Sequence, residues 1–239
     1  MVYIPSTVPG QAALLVKQSL AAKLKEEILC GNLAPGQRII ERYWAQKFKV
    51  AQTSVREAIN LLINEGFATK ASGRSARVTS YSEVDIAQIY ELRAALEGLA
   101  ARLLAERRPD LKPLEAALKD MRRTTKQGLV RELIEADLQF HLRLCELSGN
   151  RFLHTQMRTL LVPAFAFASI RVIQSHQTTQ PWEADLDRHK RIIDLIRDGD
   201  PSAAEFGVRA MLQQFSGRAY ATWHKRDAEH HSDRPVPTR

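Results

Sequence analysis

The second part of the chain, from Glu83 to about Arg226, shows helical periodicity alone, and this limits its fold more than any other feature. Glycine, proline and short polar runs divide it into six helical segments, at roughly 83–107, 110–127, 130–148, 150–175, 182–198 and 201–225. Pro163 lies inside the fourth segment, where we expect it to kink the helix. Because this part has no strand pattern, the sequence predicts an all-α bundle of six to seven helices.

The first 80 residues follow a different pattern. Three helical segments precede two short strands, at about Leu14–Leu29, Glu41–Phe48, Thr53–Glu65, Phe67–Ala71 and Ala76–Ser80. Three helices and a two-stranded wing are the elements of a winged helix-turn-helix. Ser82 and Asp85 then form a candidate capping box. We expect a mainly α protein with a winged helix-turn-helix domain at 11–80, an all-α domain at 83–226 and a disordered tail at 227–239.

Composition excludes several classes of protein. The chain has 239 residues, of which 44% are hydrophobic and 26% charged, as is typical of globular proteins. Its longest apolar run, Leu160 to Ala168, is interrupted by Pro163 and is too short to span a membrane. The two cysteines, Cys30 and Cys145, do not make a disulfide framework, and the N-terminus lacks the pattern of a signal peptide. We therefore expect a cytoplasmic protein with no membrane partner.

Positive charge is concentrated in the first domain. Residues 1–80 carry six of the eight excess positive charges at neutral pH. Such asymmetry between two parts of a chain favours a nucleic-acid partner for the basic part. A solvated basic surface on an ordinary domain would give the same count, so charge alone leaves both interpretations open.

The third helical segment has two chemically different faces. Its apolar positions can pack into a small core with Ala45 and Phe48 of the preceding segment, and they are Val55, Ile59 and Leu62. Its other face carries groups that can hydrogen-bond to base edges in the major groove, from Gln52, Thr53, Arg56 and Asn60. Further contacts to DNA are expected from Arg42, Gly73 and Arg74. An ordinary amphipathic surface helix is the alternative interpretation.

Polar residues interrupt the apolar stripes of the all-α domain. Asp137 lies within one stripe, His141 follows it by one turn, and His189 lies within the stripe of another segment. A carboxylate in an apolar stripe is costly unless it is paired or ligated, and these three residues could share a metal or a polar ligand. Alternatively, Asp137 pairs with an arginine and the histidines are satisfied core residues. Arg93, near Glu97, either binds a ligand carboxylate through two parallel hydrogen bonds or is an ordinary arginine on the helix surface.

Three stretches of the first domain carry motifs at a characteristic spacing. They are Leu33–Glu41 with its Pro35-Gly36 turn, Val50–Ile59 with Thr53-Ser54-Val55-Arg56-Glu57-Ala58, and Glu65-Gly66-Phe67. Together they resemble the winged helix of the GntR family of bacterial transcriptional regulators. The sequence departs from that family's usual Ser, Arg and Pro at Ala51, Gln52 and Ser54, and the change at Gln52 bears on the operator sequence. The resemblance implies that four residues touch DNA as in the FadR branch: Arg42, Thr53, Arg56 and Gly73.

The second domain carries motifs of its own, at Asp137-Leu-Gln-Phe-His141, Ser148-Gly149-Asn150, His189-Lys-Arg-Ile-Ile and Gly199-Asp200-Pro201. These resemble the FCD sensor domain of the FadR subfamily. The resemblance implies a divalent metal, such as Zn, Ni or Mn, held by Asp137, His141, His189 and a further histidine. Met211 stands at the fourth position. Because methionine is a poor ligand for such cations, we expect the metal to be bound weakly or not at all.

The two resemblances imply a ligand-responsive transcriptional regulator that is not an enzyme. We expect a homodimer on a palindromic operator, because one recognition helix reads too few bases. A small metabolite, expected to be an organic acid, would bind at Arg93, Asp137, His141 and His189 and release or remodel the DNA complex. Two alternatives stay open: a metal-dependent enzyme using Asp137, His141 and His189, and a ligand-binding adaptor that does not bind DNA. The sequence shows no phosphate loop, nucleophile elbow or HExxH motif in support of an enzyme.

Overall fold

A computed structural model describes residues 9–71, 74–174 and 182–214 of the chain. Its contacts divide the chain into two units. The first comprises Met1–Ser80 and Ala166–Arg171, and the second comprises Tyr81–Phe165 and Val172–Arg239. Within the described ranges, no helix is long and apolar enough to cross a membrane.

The first unit begins with three helices, as the sequence predicts. They are α1 (Pro9–Leu29), α2 (Glu41–Phe48) and α3 (Gln52–Asn64). Helices α1 and α3 form the main packing contact of this unit, and α2 also packs on α3. Buried side chains come from all three helices, among them Leu20, Leu24, Ile28, Trp44, Val55, Ile59 and Leu62. In α2, Ala45 and Phe48, which the sequence predicted to pack with α3, are half-buried, and Trp44, which it did not mention, is buried. The indole of Trp44 removes more apolar surface from water than either neighbour could.

The wing is smaller than predicted. Strands β1 (Ala68–Thr69) and β2 (Arg77–Val78) pair antiparallel, with Ala68 opposite Val78. The outer edge of β2 is paired with residues 36–39, through an isolated bridge between Arg38 and Arg77 and hydrogen bonds on either side of it. That segment is too short for an alternating pattern, so the sequence predicted only the turn before it. Gly36 closes this turn with a φ of +76°, a conformation that favours glycine.

The second unit is all helical where it is described. Its helices are α4 (Glu83–Arg107), α5 (Lys112–Lys126), α6 (Val130–Leu147), α7 (Arg151–Gln174), α8 (Trp182–Asp198) and α9, which begins at 201 and is described to 214. Helix α6 packs on α4 and α5, and both of these also pack on α8. Helix α7 continues through Pro163. The predicted end of α9 near 225 and the tail at 227–239 lie outside the described residues.

The start of α4 is held by the capping box predicted from the sequence. The Ser82 hydroxyl accepts a hydrogen bond from the Asp85 N–H at 3.2 Å, and the Asp85 carboxylate accepts one from the Ser82 N–H at 2.8 Å. These bonds satisfy two N–H groups at the helix start. Hydrogen bonds from the side chain and backbone of Ser82 hold the pKa of Asp85 below its usual value.

We expect Ser82→Ala to lower the free energy of unfolding by about 1 kcal/mol, because one N–H group of α4 loses its acceptor. Urea unfolding followed by circular dichroism measures the loss, and Ser82→Thr, which keeps the hydroxyl, serves as control. A carboxyl with a lowered pKa stabilises the fold above its unfolded pKa, and this contribution disappears as pH falls through its folded pKa. Ser82→Ala also removes the hydrogen bond that the Ser82 hydroxyl donates to the Asp85 carboxylate at 2.6 Å, so its deficit should shrink in acid. A deficit that persists unchanged at low pH would contradict the role of ionised Asp85.

Candidate functional sites: an exposed helix face and a buried polar cluster

Helix α3 turns one face to the core of the first unit and the other to solvent. Its buried side chains are Val55, Ala58, Ile59 and Leu62. The residues that the sequence assigned to DNA contact are exposed along the opposite face: Gln52, Thr53, Arg56 and Asn60. Arg42 on α2 is exposed as well, and so is Arg74, the first described residue of the wing after 71. Gly73 lies outside the described residues. The structure therefore brings a row of hydrogen-bonding side chains to one accessible surface.

Glu41, at the first position of α2, joins this exposed face. Its carboxylate accepts hydrogen bonds from Nε and Nη2 of Arg56, the latter at 2.8 Å, and from Nε2 of Gln52 at 3.0 Å. The hydrogen bond from Arg56 is the main reason that the pKa of Glu41 lies below its usual value. The sequence marked Glu41 only as part of a motif, since nothing in a helical pattern predicts a pairing with a second helix.

Three helices of the second unit bring a polar cluster into its interior. Arg93 and Glu97 come from α4, Asp137 and His141 from α6, and His189 from α8. Four of the five are buried; the exception, Asp137, has a side chain about 30% exposed although its Oδ1 is buried. The cluster thus unites the four effector and metal candidates of the sequence analysis with a carboxylate that was not among them.

Arg93 is an interior residue and not a surface arginine. Its Nε donates to Oε1 of Glu97 at 2.9 Å, and its guanidinium lies over the rings of Tyr90 and Phe165. Burial raises the pKa of Glu97, but His141 and Arg93 more than offset this and hold it below its usual value. The sequence analysis named Glu97 only as a neighbour of Arg93, although the i, i+4 spacing of an arginine and a glutamate was a signal that could have assigned it to the cluster.

Hydrogen bonds on the far side of each imidazole fix which nitrogen carries the proton. Nδ1 of His141 lies 2.6 Å from Oε2 of Glu97, and Nδ1 of His189 lies 2.6 Å from the backbone oxygen of Asp185. A carboxylate and a carbonyl oxygen only accept hydrogen bonds, so each Nδ1 carries a proton. In the neutral imidazoles both Nε2 atoms therefore present lone pairs, and they lie 3.3 Å apart.

Asp137 adds a third lone-pair atom at the same point. Its Oδ1 lies 2.8 Å from Nε2 of His189 and 3.2 Å from Nε2 of His141, yet it accepts no hydrogen bond from any described residue. Three acceptors that face one another repel unless a cation lies between them. Either a second proton on His141 or a metal ion can supply this charge.

The charges around the two histidines differ, and their pKa values move in opposite directions. Burial lowers the pKa of His141, but the carboxylates of Glu97 and Asp137 together outweigh burial and raise it. Burial keeps the pKa of His189 below its usual value despite the facing Asp137. Burial also raises the pKa of Asp137, and the two imidazoles more than reverse this effect. These directions favour an ionised Asp137, and they favour His141 over His189 as the site of any additional proton.

The cluster fits a divalent cation in its donor chemistry. One ligand atom each from Asp137, His141 and His189 lie within 4.8 Å of one another. Two imidazole nitrogens and a carboxylate oxygen suit zinc, nickel or manganese, and hydrogen bonds from Nδ1 of both histidines supply the orientation that such ligands need. Met211, the residue at the fourth expected position, is partly buried against the core of the bundle.

A winged helix-turn-helix with an exposed polar recognition face, together with a helical unit that encloses a polar cluster, defines a ligand-responsive, DNA-binding transcriptional regulator. Comparison with known proteins agrees. Residues 88–214 match the FCD domain, and residues 16–78 match the family described as bacterial regulatory proteins, gntR family. The chain belongs to the GntR family and carries an FCD domain. Both matches are to domains of regulators and not of enzymes.

Individual relatives support the same assignment. The HTH-type transcriptional regulator YdhC of Bacillus subtilis (strain 168) is 29% identical over 191 residues, which cover 79% of this chain and 84% of YdhC. The Nta operon transcriptional regulator of Aminobacter aminovorans is 35% identical over 132 residues, 54% of this chain and 62% of that protein. Among solved structures, E. coli McbR/YncC shares the fold with a TM-score of 0.68 at 20% identity, covering 87% of this chain and 98% of that one.

Proposed function

We propose that the protein acts in the cytoplasm as a homodimer that binds a palindromic operator, and that a small organic acid at the buried cluster changes its operator affinity. The exposed face of α3 carries the DNA-binding part of this proposal. Four side chains of this face would meet base edges: Gln52, Thr53, Arg56 and Asn60. Three residues outside α3 would contact the DNA backbone: Arg42, Gly73 and Arg74.

A homodimer follows from the amount of sequence that one α3 can read. A single recognition helix contacts only a few base pairs, whereas two helices related by a two-fold axis read two half-sites of a palindrome. We test this with a pool of random-sequence duplexes from which the protein selects its ligands. The proposal predicts two inverted half-sites about 10 base pairs apart, or a multiple of that spacing. Selection of a single asymmetric half-site would contradict it.

The effector part of the proposal depends on the cluster of Asp137, His141 and His189. A divalent cation held by these residues would satisfy the three facing lone pairs, and it would supply an open coordination position for a carboxylate. Asp137 and Glu97 together balance Arg93 and one of the two charges of such a cation, so one positive charge remains for an anionic ligand. A monocarboxylate is therefore the effector that this set of charges favours.

We expect the cation to be held weakly, because Met211 provides no suitable fourth donor. Met211→His should therefore raise the affinity for Zn²⁺ by at least about 10-fold, since a direct imidazole ligand should contribute no less than the outer-shell partners of such ligands, which are worth about 10–100-fold. Competition with a chelator measures the affinity, and elemental analysis of untagged protein measures the metal retained on purification. Met211→Leu is the matched control, since it changes the side chain without adding a donor. Tight binding of Zn²⁺ by the unchanged protein, or no gain in Met211→His, would contradict the assignment.

A further inference from the structure

Glu41 is placed where it can control how Arg56 meets DNA. The Arg56 side chain is 52% exposed and that of Glu41 is 22% exposed, and their contact joins α2 to α3. Nε and Nη2 of Arg56 both face the carboxylate, so this edge of the guanidinium is occupied and the remaining N–H groups point away from it. The same carboxylate holds the Gln52 amide. One acidic residue thus orients two of the groups proposed to read bases.

Stability alone does not account for this arrangement. Exposed ion pairs contribute little to the stability of a fold, and a carboxylate on a DNA-facing surface repels phosphates. A held guanidinium, however, loses less side-chain entropy on binding than a mobile one. The carboxylate therefore weakens attraction to any duplex and favours the duplex whose bases match the oriented groups. Specificity is a difference between two affinities, and both effects increase it.

We propose that Glu41 is a specificity-determining positioning residue, which orients Arg56 and Gln52 and lowers affinity for unmatched DNA. The proposal rests on the proposed function, since it needs α3 to be the DNA-reading helix. It assigns to Glu41 no direct contact with a base. Lys70, whose positive charge also acts on the Glu41 carboxylate, helps to keep it ionised.

The test compares two affinities for each variant: that for the duplex selected by the unchanged protein and that for the unselected random pool. Glu41→Gln keeps the shape of the side chain and removes its charge. We expect its affinity for the pool to rise about two- to fivefold, and the ratio of selected to pool affinity to fall about tenfold. Circular dichroism and the unfolding midpoint check that the fold is intact.

Two further variants separate positioning from simple electrostatics. Glu57→Gln removes the same charge from the exposed side of α3 but leaves Glu41 in place. The affinity of this variant should rise for both the selected duplex and the random pool, without a tenfold fall in the ratio of the two affinities. In an Arg56→Ala background, Glu41→Gln should change the ratio by only about twofold, since its main partner is gone.

The outcomes distinguish this proposal from the function on which it depends. If the unchanged protein enriches no sequence from the pool, the DNA-reading assignment of α3 fails, and the role of Glu41 fails with it. If the protein selects a sequence but Glu41→Gln keeps or improves the ratio, Glu41 only competes with DNA for Arg56 and the positioning role is overturned. An equal loss of ratio in Glu57→Gln would overturn it too.

Discussion

Glu97→Ala is expected to lower the free energy of unfolding by about 3–5 kcal/mol, the range found when one partner of a buried ion pair is removed. The substitution leaves the Arg93 guanidinium buried without its counter-charge and removes the acceptor for Nδ1 of His141. Neither group can reach water, since Arg93 is 3% exposed and His141 is 4% exposed. Urea unfolding followed by circular dichroism measures the loss.

Helix α4 itself contains the matched control. Arg102 and Glu106 form a second i, i+4 pair, whose side chains are 44% and 45% exposed. We expect Glu106→Ala to cost less than about 0.5 kcal/mol, because water solvates the arginine that is left. Equal losses in Glu97→Ala and Glu106→Ala would show that Glu97 contributes only through the helix and not through the buried cluster.

Arg56→Ala is expected to weaken binding to the selected duplex by about 1–3 kcal/mol for each half-site, because a guanidinium contact to a base edge is lost. Fluorescence anisotropy with the labelled duplex measures the dissociation constant. Arg56→Lys separates charge from shape, since it keeps the positive charge but not the planar fork. We expect Arg56→Lys to retain affinity for random-sequence DNA and to lose its preference for the selected duplex over that DNA. Unchanged affinity and sequence preference in Arg56→Ala would contradict the assignment of α3.

The helices and their faces were predictable because their signals are local. Long apolar periodicities fix which side of a helix is buried, and those of α3 placed Gln52, Arg56 and Asn60 on the solvent side, where the structure has them. The capping box at Ser82 is equally local, since it needs only two residues three positions apart. The wing was the weakest part of the prediction, because its strands are two residues long and one edge is paired by residues 36–39.

The partners of the polar residues could not be predicted in the same way. Periodicity placed Asp137, His141 and His189 on apolar stripes, but it did not reveal that Glu97 orients His141 across 44 positions of the chain. Likewise, the contact between Glu41 and Arg56 joins two helices. Such pairings depend on how helices pack, which the pattern of one helix does not contain. The tautomers of both histidines, and hence the convergence of three lone pairs, follow only from these contacts.

We expect occupancy of the buried cluster to control DNA binding, and a titration of operator affinity measures this coupling. Operator affinity is measured by fluorescence anisotropy on the selected duplex, for chelator-treated protein, with Zn²⁺ alone, and with Zn²⁺ and each member of a set of small carboxylic acids. At least one addition should change the dissociation constant by about 5–150-fold, and Asp137→Asn should remove this response. A dissociation constant that no addition changes, or an equal response in Asp137→Asn, would contradict this coupling.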